Sequence, residues 1–202
     1  MSYGKQNGVG CVLPEFTVDD LGTSFKVVLL NSVICSEGEK GKEFLIPDYQ
    51  GLIKQIAVSR AAHPVKLKGG DIRFLRKNLG LMSKELASKL DISPEHLSRC
   101  EAGTKILSPN SERVLRSLVL CEALYIFRKA IEDVEGNKAN ALDKITKLID
   151  RLHEVMGDFK IQSTHDASEE LIFHFRHVPK LRPSAANDGP AEVAPEWLDE
   201  AA

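Results

Sequence analysis

From Asp71 onward the apolar positions fall three and four residues apart, the spacing that gathers side chains on one face of an α-helix. Ile72, Leu75 and Leu79, joined by Phe74, predict a first helix that stops near Gly80. Leu86, Ala87 and Leu90 predict a second helix from Ser83 to Leu90, and a tight link at Asp91 and Ile92 leads to a third. There Ser93 stands as N-cap with Pro94 at the first helical position. This is a start signal because the hydroxyl satisfies an orphan backbone N–H and proline has none to satisfy. Leu97 and Cys100 turn inward, and the helix ends before Gly103. Ser108 and Pro109 repeat the signal for a fourth helix, which Val114, Leu115, Leu118, Val119, Ala123, Ile126 and Phe127 carry to about Val134. Gly136 and Asn137 separate a fifth, roughly residues 138–156, with Leu142, Ile145, Leu148, Ile149 and Leu152 on one face.

Before Asp71 the pattern is extended. Residues 11–14 and 15–18 read as two short strand pieces, and residues 24–34 are rich in β-branched side chains without clean alternation. A polar turn over 36–42 leads to a strand at Glu43–Ile46 that Pro47 ends. Asp48 can then cap a helix with Leu52, Ile53, Ile56 and Ala57 on one stripe, closed by His63 and Pro64. Gly69 and Gly70 predict a hinge. Leu171–Val178 alternates in part and predicts a late strand, and beyond Pro179 the Pro, Ala, Gly and acid content predicts a disordered tail.

The predicted fold class is α+β. A small β-β-β-α domain (1–61) precedes a mainly α helix-turn-helix domain (68–134), a C-terminal helix and strand for dimer or partner contact (135–180), and an acidic tail (181–202). Charge sharpens this division. Net charge over the 202 residues is −2, but residues 62–132 carry 13 Lys and Arg against 8 Asp and Glu, whereas 133–202 carry 8 against 14. A basic centre between a near-neutral and an acidic flank suits a polyanion-binding module. No apolar run approaches the length of a membrane span, and the first residues lack the apolar stretch of a secretory signal. The four cysteines are scattered without a C-x-x-C pair, so a cytoplasmic protein with reduced thiols and no membrane partner is expected.

The informative stretch is LGLMSKELASKLDISPEHLSRCEAG, Leu79 to Gly103. Two helices of about two turns joined by a tight link make a helix-turn-helix, in which the later helix lies in the major groove of DNA while the earlier one braces it. With Leu97 and Cys100 inward, the outer face carries Glu95, His96 and Arg99, with Ser93 and Pro94 at its start. Arg99 can fork onto guanine O6 and N7, and Glu95 can accept from cytosine N4. Ser83 can reach a phosphate through its hydroxyl or amide, and Lys105 lies just past the final glycine. With Lys84 and Ser98 these form the candidate DNA-contacting set. Lys66 and Lys68 could follow the backbone or minor groove. A competing role for Arg99 is pairing with Glu95 or Glu101 along its own helix.

Ser98-Arg99-Cys100-Glu101-Ala102-Gly103 resembles the S-R-W-E-x-G ending of the recognition helix in phage-repressor-like (Xre/Cro) regulators. Ile72–Leu81 looks like the first helix of the antitoxin-type regulators of the MqsA group, which place a zinc-ribbon-derived β-α domain before the helix-turn-helix. Gly51-Leu-Ile-Lys-Gln-Ile56 is similar to a segment of that domain. The chain departs from the pattern at several points. Ser83 stands for the usual Gln, Met82 for the usual Ser or Thr cap, Cys100 for the aromatic, and Ala102 for an Asn that contacts backbone. The paired cysteines of the ribbon are missing, and Cys11 with Cys35 cannot fill a four-ligand site, so the resemblance implies a ribbon-like domain without zinc.

His174 and His177, three apart in a strand, fall on opposite faces, and His63, His153 and His165 lack ligand-spaced partners. Nucleophile elbows, phosphate loops and zinc-protease motifs are missing from the sequence, so no enzyme and no cofactor or metal is expected. The resemblance and the residues together imply a DNA-binding transcriptional repressor, acting as a homodimer on double-stranded DNA through the major groove. The alternative is an antitoxin that holds a protein toxin and regulates its own promoter.

Overall fold

The structure, a computed structural model, describes residues 10–19, 21–38, 41–132, 138–157, 160–162, 170–178 and 196–200. In chain order these form β1 (Cys11–Thr17), β2 (Lys26–Gly38), β3 (Gly41–Leu45), α1 (Tyr49–Ala62), α2 (Gly69–Asn78), α3 (Ser83–Lys89), α4 (Pro94–Glu101), α5 (Pro109–Glu132), α6 (Lys138–Met156), β4 (Ile172–Val178) and β5 (Glu196–Asp199). The fold is mixed α+β, as expected. The predicted turn residues Gly136 and Asn137, the predicted helix end at Val134, His165 and most of the predicted tail (181–195) lie outside the described residues.

The chain divides into two compact units. The first, a sheet unit, gathers residues 1–19, 25–55 and 171–202; the second, a helical unit, comprises 20–24 and 56–170. The boundary at residue 55 falls inside α1, whereas the sequence placed a domain end at 61. The first unit is also discontinuous in sequence, because β4 pairs in parallel with β2 (Lys26↔Ile172 to Leu29↔Phe175). Every described helix lies between β3 and β4 in the chain.

The sheet order is β1-β2-β4-β5, with β3 also on β2. β2 shows why alternation fails in its sequence: Val27, Val28 and Leu29 are all buried, so both faces are covered there. The two expected strand pieces at 11–18 are one strand with an irregularity at Pro14, where Leu13 faces Val33 but Glu15 faces Leu30. Proline cannot donate to the ladder, and opposite it β2 holds one extra residue. Asn31 takes up the kink with φ 49°, a left-handed value that asparagine tolerates better than most residues. Next to it the Ser32 hydroxyl donates to Leu30 O (2.6 Å) and accepts from His177 N (2.8 Å), which ties the bulge to β4.

β5 is where the sequence predicts an irregular tail. It runs antiparallel to β4, His177↔Trp197 and Phe175↔Asp199. One side chain accounts for it. Trp197 is buried, its indole N–H donates to Asp48 O (3.1 Å), and its ring meets His177 edge-on at 5.0 Å. A buried tryptophan with its N–H satisfied can order a segment whose composition alone reads as disordered.

In the helical unit Ile56, Ala57, Ile72, Phe74, Leu75, Leu86, Leu97, Leu107, Leu115 and Val119 are buried together with charged side chains. Arg60 on α1 donates to Asp71 Oδ2 on α2 (2.9 Å) and to the carbonyls of Val65 and Lys66. Arg116 on α5 donates to Glu112 Oε1 (2.7 Å) and to the carbonyls of Arg60, Ala61, His63 and Val65. A guanidinium from α5 thus satisfies the orphan carbonyls at the C-terminal end of α1. Gly69 and Gly70, predicted as a hinge, instead form the first turn of α2. A Cβ on Gly69 would stand 2.6 Å from Glu101 O, and one on Gly70 2.6 Å from Gly22 O. Close approach requires these glycines, not flexibility.

Candidate nucleic-acid interface

The site is α3, its link and α4, held on α2. Glu85 accepts from Met82 N (2.7 Å), so the first turn of α3 is capped despite the missing serine or threonine. Gly80 (φ 68°) ends the helix before it, and Asp91 (φ 52°) makes the tight link after it. Ser93 caps α4 as predicted: its hydroxyl accepts from His96 N at 3.1 Å, with Pro94 in the first turn. Gly103 (φ 75°) terminates α4 in the left-handed conformation.

What orients α4 is a fork of hydrogen bonds that the sequence reading assigned differently. Glu101 does not pair with Arg99. It receives Arg76 of α2 through both oxygens, Nε to Oε1 at 2.6 Å and the terminal nitrogen to Oε2 at 3.0 Å, and Arg73 stands 3.7 Å away. Arg76 also donates to Leu81 O (3.0 Å), reaching the turn before α3. A planar guanidinium binding a carboxylate through two bonds fixes orientation as well as distance. The glutamate of the motif is therefore a positioning group, and its arginine neighbour is left outside. Cys100, where the pattern has an aromatic, is buried, and burial pushes its thiol above the ordinary range.

Each candidate can now be placed. Lys84, Ser93, Glu95, Ser98, Arg99 and Lys105 are exposed; Ser83, Pro94 and His96 are partly so. Leu97 and Cys100 point inward as the spacing predicts. Among the described residues Arg99 forms no ion pair, although Glu95 lies one turn back. Glu95 is held below the usual carboxylate range by its own backbone N–H and the Ser93 hydroxyl, with smaller help from Arg99 and Lys84. It is thus an anion at neutral pH, an acceptor only, and suited to an exocyclic amine such as cytosine N4 while repelling phosphate. Lys66 is withdrawn from the candidates: its ammonium is spent on Glu112 (3.0 Å) and Leu107 O (3.1 Å).

His174 and His177 pair with different neighbours, Val28 and Trp197, and no group of three potential metal ligands occurs among the described residues. No described helix is long and apolar enough to cross a membrane.

No family model, curated protein or solved structure matches the chain. An exposed polar row runs along a two-turn helix whose opposite side is buried, with ammonium groups at Lys84, Lys89 and Lys105 nearby in sequence and open to solvent. Such a row can offer a guanidinium fork and a carboxylate acceptor to base edges, and backbone amides and lysines to phosphates.

Sequence reasoning missed the buried ion pairs. A signal for them exists: Arg60 follows Ile56 and Ala57 at helical spacing, and Glu112 and Arg116 share the inward stripe with Leu115 and Val119. Charges at core positions of an amphipathic pattern point to internal pairing.

Proposed function

We propose that this protein is a sequence-specific DNA-binding transcriptional regulator, a repressor that acts as a dimer on a palindromic operator. The observation that carries the reading is the exposure of Glu95, Ser98 and Arg99 along α4 while Leu97 and Cys100 lock its other side. α4 enters the major groove, Arg99 reads guanine, Glu95 reads cytosine, and Ser83, Lys84 and Lys105 take phosphates.

One recognition helix makes too few base contacts for useful discrimination, so two copies are needed, with half-sites about one helical turn (~34 Å) apart. The surface for pairing is on α5 and α6. Val114, Leu118, Cys121 and Tyr125 repeat at four, three and four residues along the outer side of α5, with Val114 38% and Tyr125 46% exposed. On α6, Leu142, Ile149 and Met156 repeat every seventh residue and are 64%, 50% and 61% exposed. The Ser117 hydroxyl lies 3.0 Å from Met156 Sδ, a contact between α5 and the last turn of α6. Exposed apolar positions at this spacing are those of a helical seam.

The test is selection of binding sites from random duplexes with the full-length protein, followed by footprinting. A palindrome protected over two successive major grooves supports the reading. Recovery of no preferred sequence, or protection that survives loss of the α4 side chains, overturns it.

A further inference from the structure

We propose that Cys11 and Cys35 are a modification site that forms a reversible cross-strand disulfide with hydroperoxides. The pair belongs to the sheet unit, so the proposal does not rest on the DNA-binding reading. The sequence shows only two thiols 24 positions apart, but the fold sets them face to face: in the antiparallel ladder of β1 and β2, Cys11 is the direct partner of Cys35. Directly opposed residues in such a ladder have Cα atoms roughly 4.5–5.5 Å apart, inside the range of about 4.4–6.8 Å that a disulfide spans. Gly10 supports the closeness independently, since a Cβ there would lie 2.7 Å from Ile34 Cγ2 and 3.3 Å from Cys35 O.

Both thiols are free, Cys11 exposed and Cys35 half-buried. The other two cysteines are placed differently, Cys100 in the core of the helical unit and Cys121 on the outer side of α5. Opposed Cβ atoms in a ladder stand roughly 4.5–5.5 Å apart, at or beyond the upper end of the roughly 3.5–4.5 Å a relaxed disulfide spans, so the two strands must draw together as the bond forms. Exposed and mildly strained bridges are the reducible ones, so the geometry suits a switch rather than a permanent staple.

The chemistry balances with one hydrogen peroxide (an organic hydroperoxide releases an alcohol in place of the first water). The more exposed Cys11, as thiolate, attacks the peroxide: an S–O bond forms, the O–O bond breaks, and hydroxide leaves as water. The Cys35 thiolate then attacks the Cys11 sulfur, the S–S bond forms, and the S–O bond breaks with release of a second water. Two thiols are oxidised by two electrons and one peroxide is reduced. Reduction by a dithiol returns the pair.

The test uses the full-length reduced protein, freed of reductant and treated with equimolar hydrogen peroxide, then alkylated with N-ethylmaleimide and digested with trypsin. Cleavage after Lys5, Lys26 and Lys40 places Cys11 in peptide 6–26 and Cys35 in peptide 27–40, while Cys100 and Cys121 fall in peptides 100–105 and 117–128. The expected product is peptide 6–26 joined to 27–40, lighter than the two thiols by two hydrogens. It should form in most chains and disappear on treatment with dithiothreitol. Cys35→Ser should leave Cys11 as a sulfenic acid that dimedone traps, and Cys121→Ser should leave the yield of the linked peptide unchanged. The proposal is overturned if Cys11 and Cys35 remain separately alkylated or separately oxidised in the wild-type chain. It is equally overturned if either is joined to Cys121 or to a second copy.

Discussion

Among the described residues of the sheet unit, the Ser32 hydroxyl at the bulge of β2 and the Trp197 indole N–H are buried neutral groups matched by backbone, the first by Leu30 O and His177 N and the second by Asp48 O. In the helical unit four ionised side chains, Arg60, Asp71, Glu112 and Arg116, are at most 1% exposed. The difference follows from where backbone groups are orphaned. A sheet satisfies its carbonyls strand by strand, whereas helix ends that converge in a core leave carbonyls needing donors. Arg116 and Arg60 supply those donors, and Glu112 and Asp71 supply the countercharge. Glu112 also accepts from Leu67 N (3.0 Å), and Asp71 from Ser24 and Lys68 (2.7–3.0 Å). Each unit holds its shape by a different kind of bond, and each can be broken separately.

The largest effect is expected from removing one member of the Arg116–Glu112 pair. Burial pulls the Arg116 guanidinium below its ordinary value and Glu112 opposes that pull, so Glu112→Ala leaves an uncompensated buried cation. A loss of about 3–5 kcal/mol is expected, read by urea denaturation, with the helical signal melting first. Replacement of the exposed Lys147 or Asp143, an i,i+4 pair on α6 with side chains 73% and 57% exposed, should by comparison leave stability nearly unchanged. A similar response from both pairs would erase the contrast between buried and surface charge. In the sheet unit Trp197→Ala should cost about 3–5 kcal/mol as well, with β5 lost from its place against β4. Protection of the Phe175–Val178 amides in hydrogen exchange checks it.

Next in size is an effect on binding without an effect on folding. Arg99→Ala should weaken operator binding by about 1–3 kcal/mol, roughly five- to 150-fold, and leave the melting curve unchanged, because its side chain is exposed and unpaired among the described residues. Arg76→Ala should do the opposite kind of damage: it removes the fork to Glu101, so α4 loosens and stability falls together with binding. Lys84→Ala and Lys105→Ala should weaken all sequences alike and each lower the salt slope by about one. If Arg99→Ala unfolded the protein, α4 would be a structural helix and not a reading head.

The same contrast explains what the sequence made legible. α2 to α5 are local objects, announced by Pro94, Pro109, Ser93 and the spacing of Leu86, Leu90 and Leu97, so their order and inward faces were readable within a residue or two. The exposure of Glu95 and Arg99 followed from that periodicity. The sheet unit could not be read in the same way, because its parallel pairing joins Lys26–Leu29 to residues more than 140 positions later. No local pattern encodes such a pairing, and the missing alternation in β2 was its only trace. The ion-pair partners were equally distant: Arg76 to Glu101 and Arg116 to the carbonyls after α1 link segments through tertiary geometry. Glycines 69 and 70 misled because a residue with no side chain serves close packing as readily as flexibility.

The smallest expected effect separates the units by pH. In the sheet unit burial lowers His177 below its ordinary value, its Nε2 is buried without a hydrogen-bond partner among the described residues, and Asp48 opposes the shift. A folded-state value below the unfolded one means that the unfolded chain binds the proton more readily. Its stabilising contribution is therefore complete above the unfolded value near 6.5 and fades as pH falls below it. His177→Phe, which keeps a ring against Trp197, should flatten that slope. In the helical unit Glu95 is lowered by its own N–H and the Ser93 hydroxyl. Its contribution is present above the unfolded value of about 4.5 and is lost as pH falls through the lower folded value. Glu95 is fully exposed, so Glu95→Gln should lower the curve only slightly, above the carboxylate range, and leave its acid end unchanged. Melting temperatures of the two variants between pH 4 and 8 should then part in different windows. His177→Phe should gain on the native protein from about pH 6.5 downward, whereas Glu95→Gln should lie slightly below it at neutral pH and converge with it as pH falls through the carboxylate range. A single shared window would mean that one group governs both units.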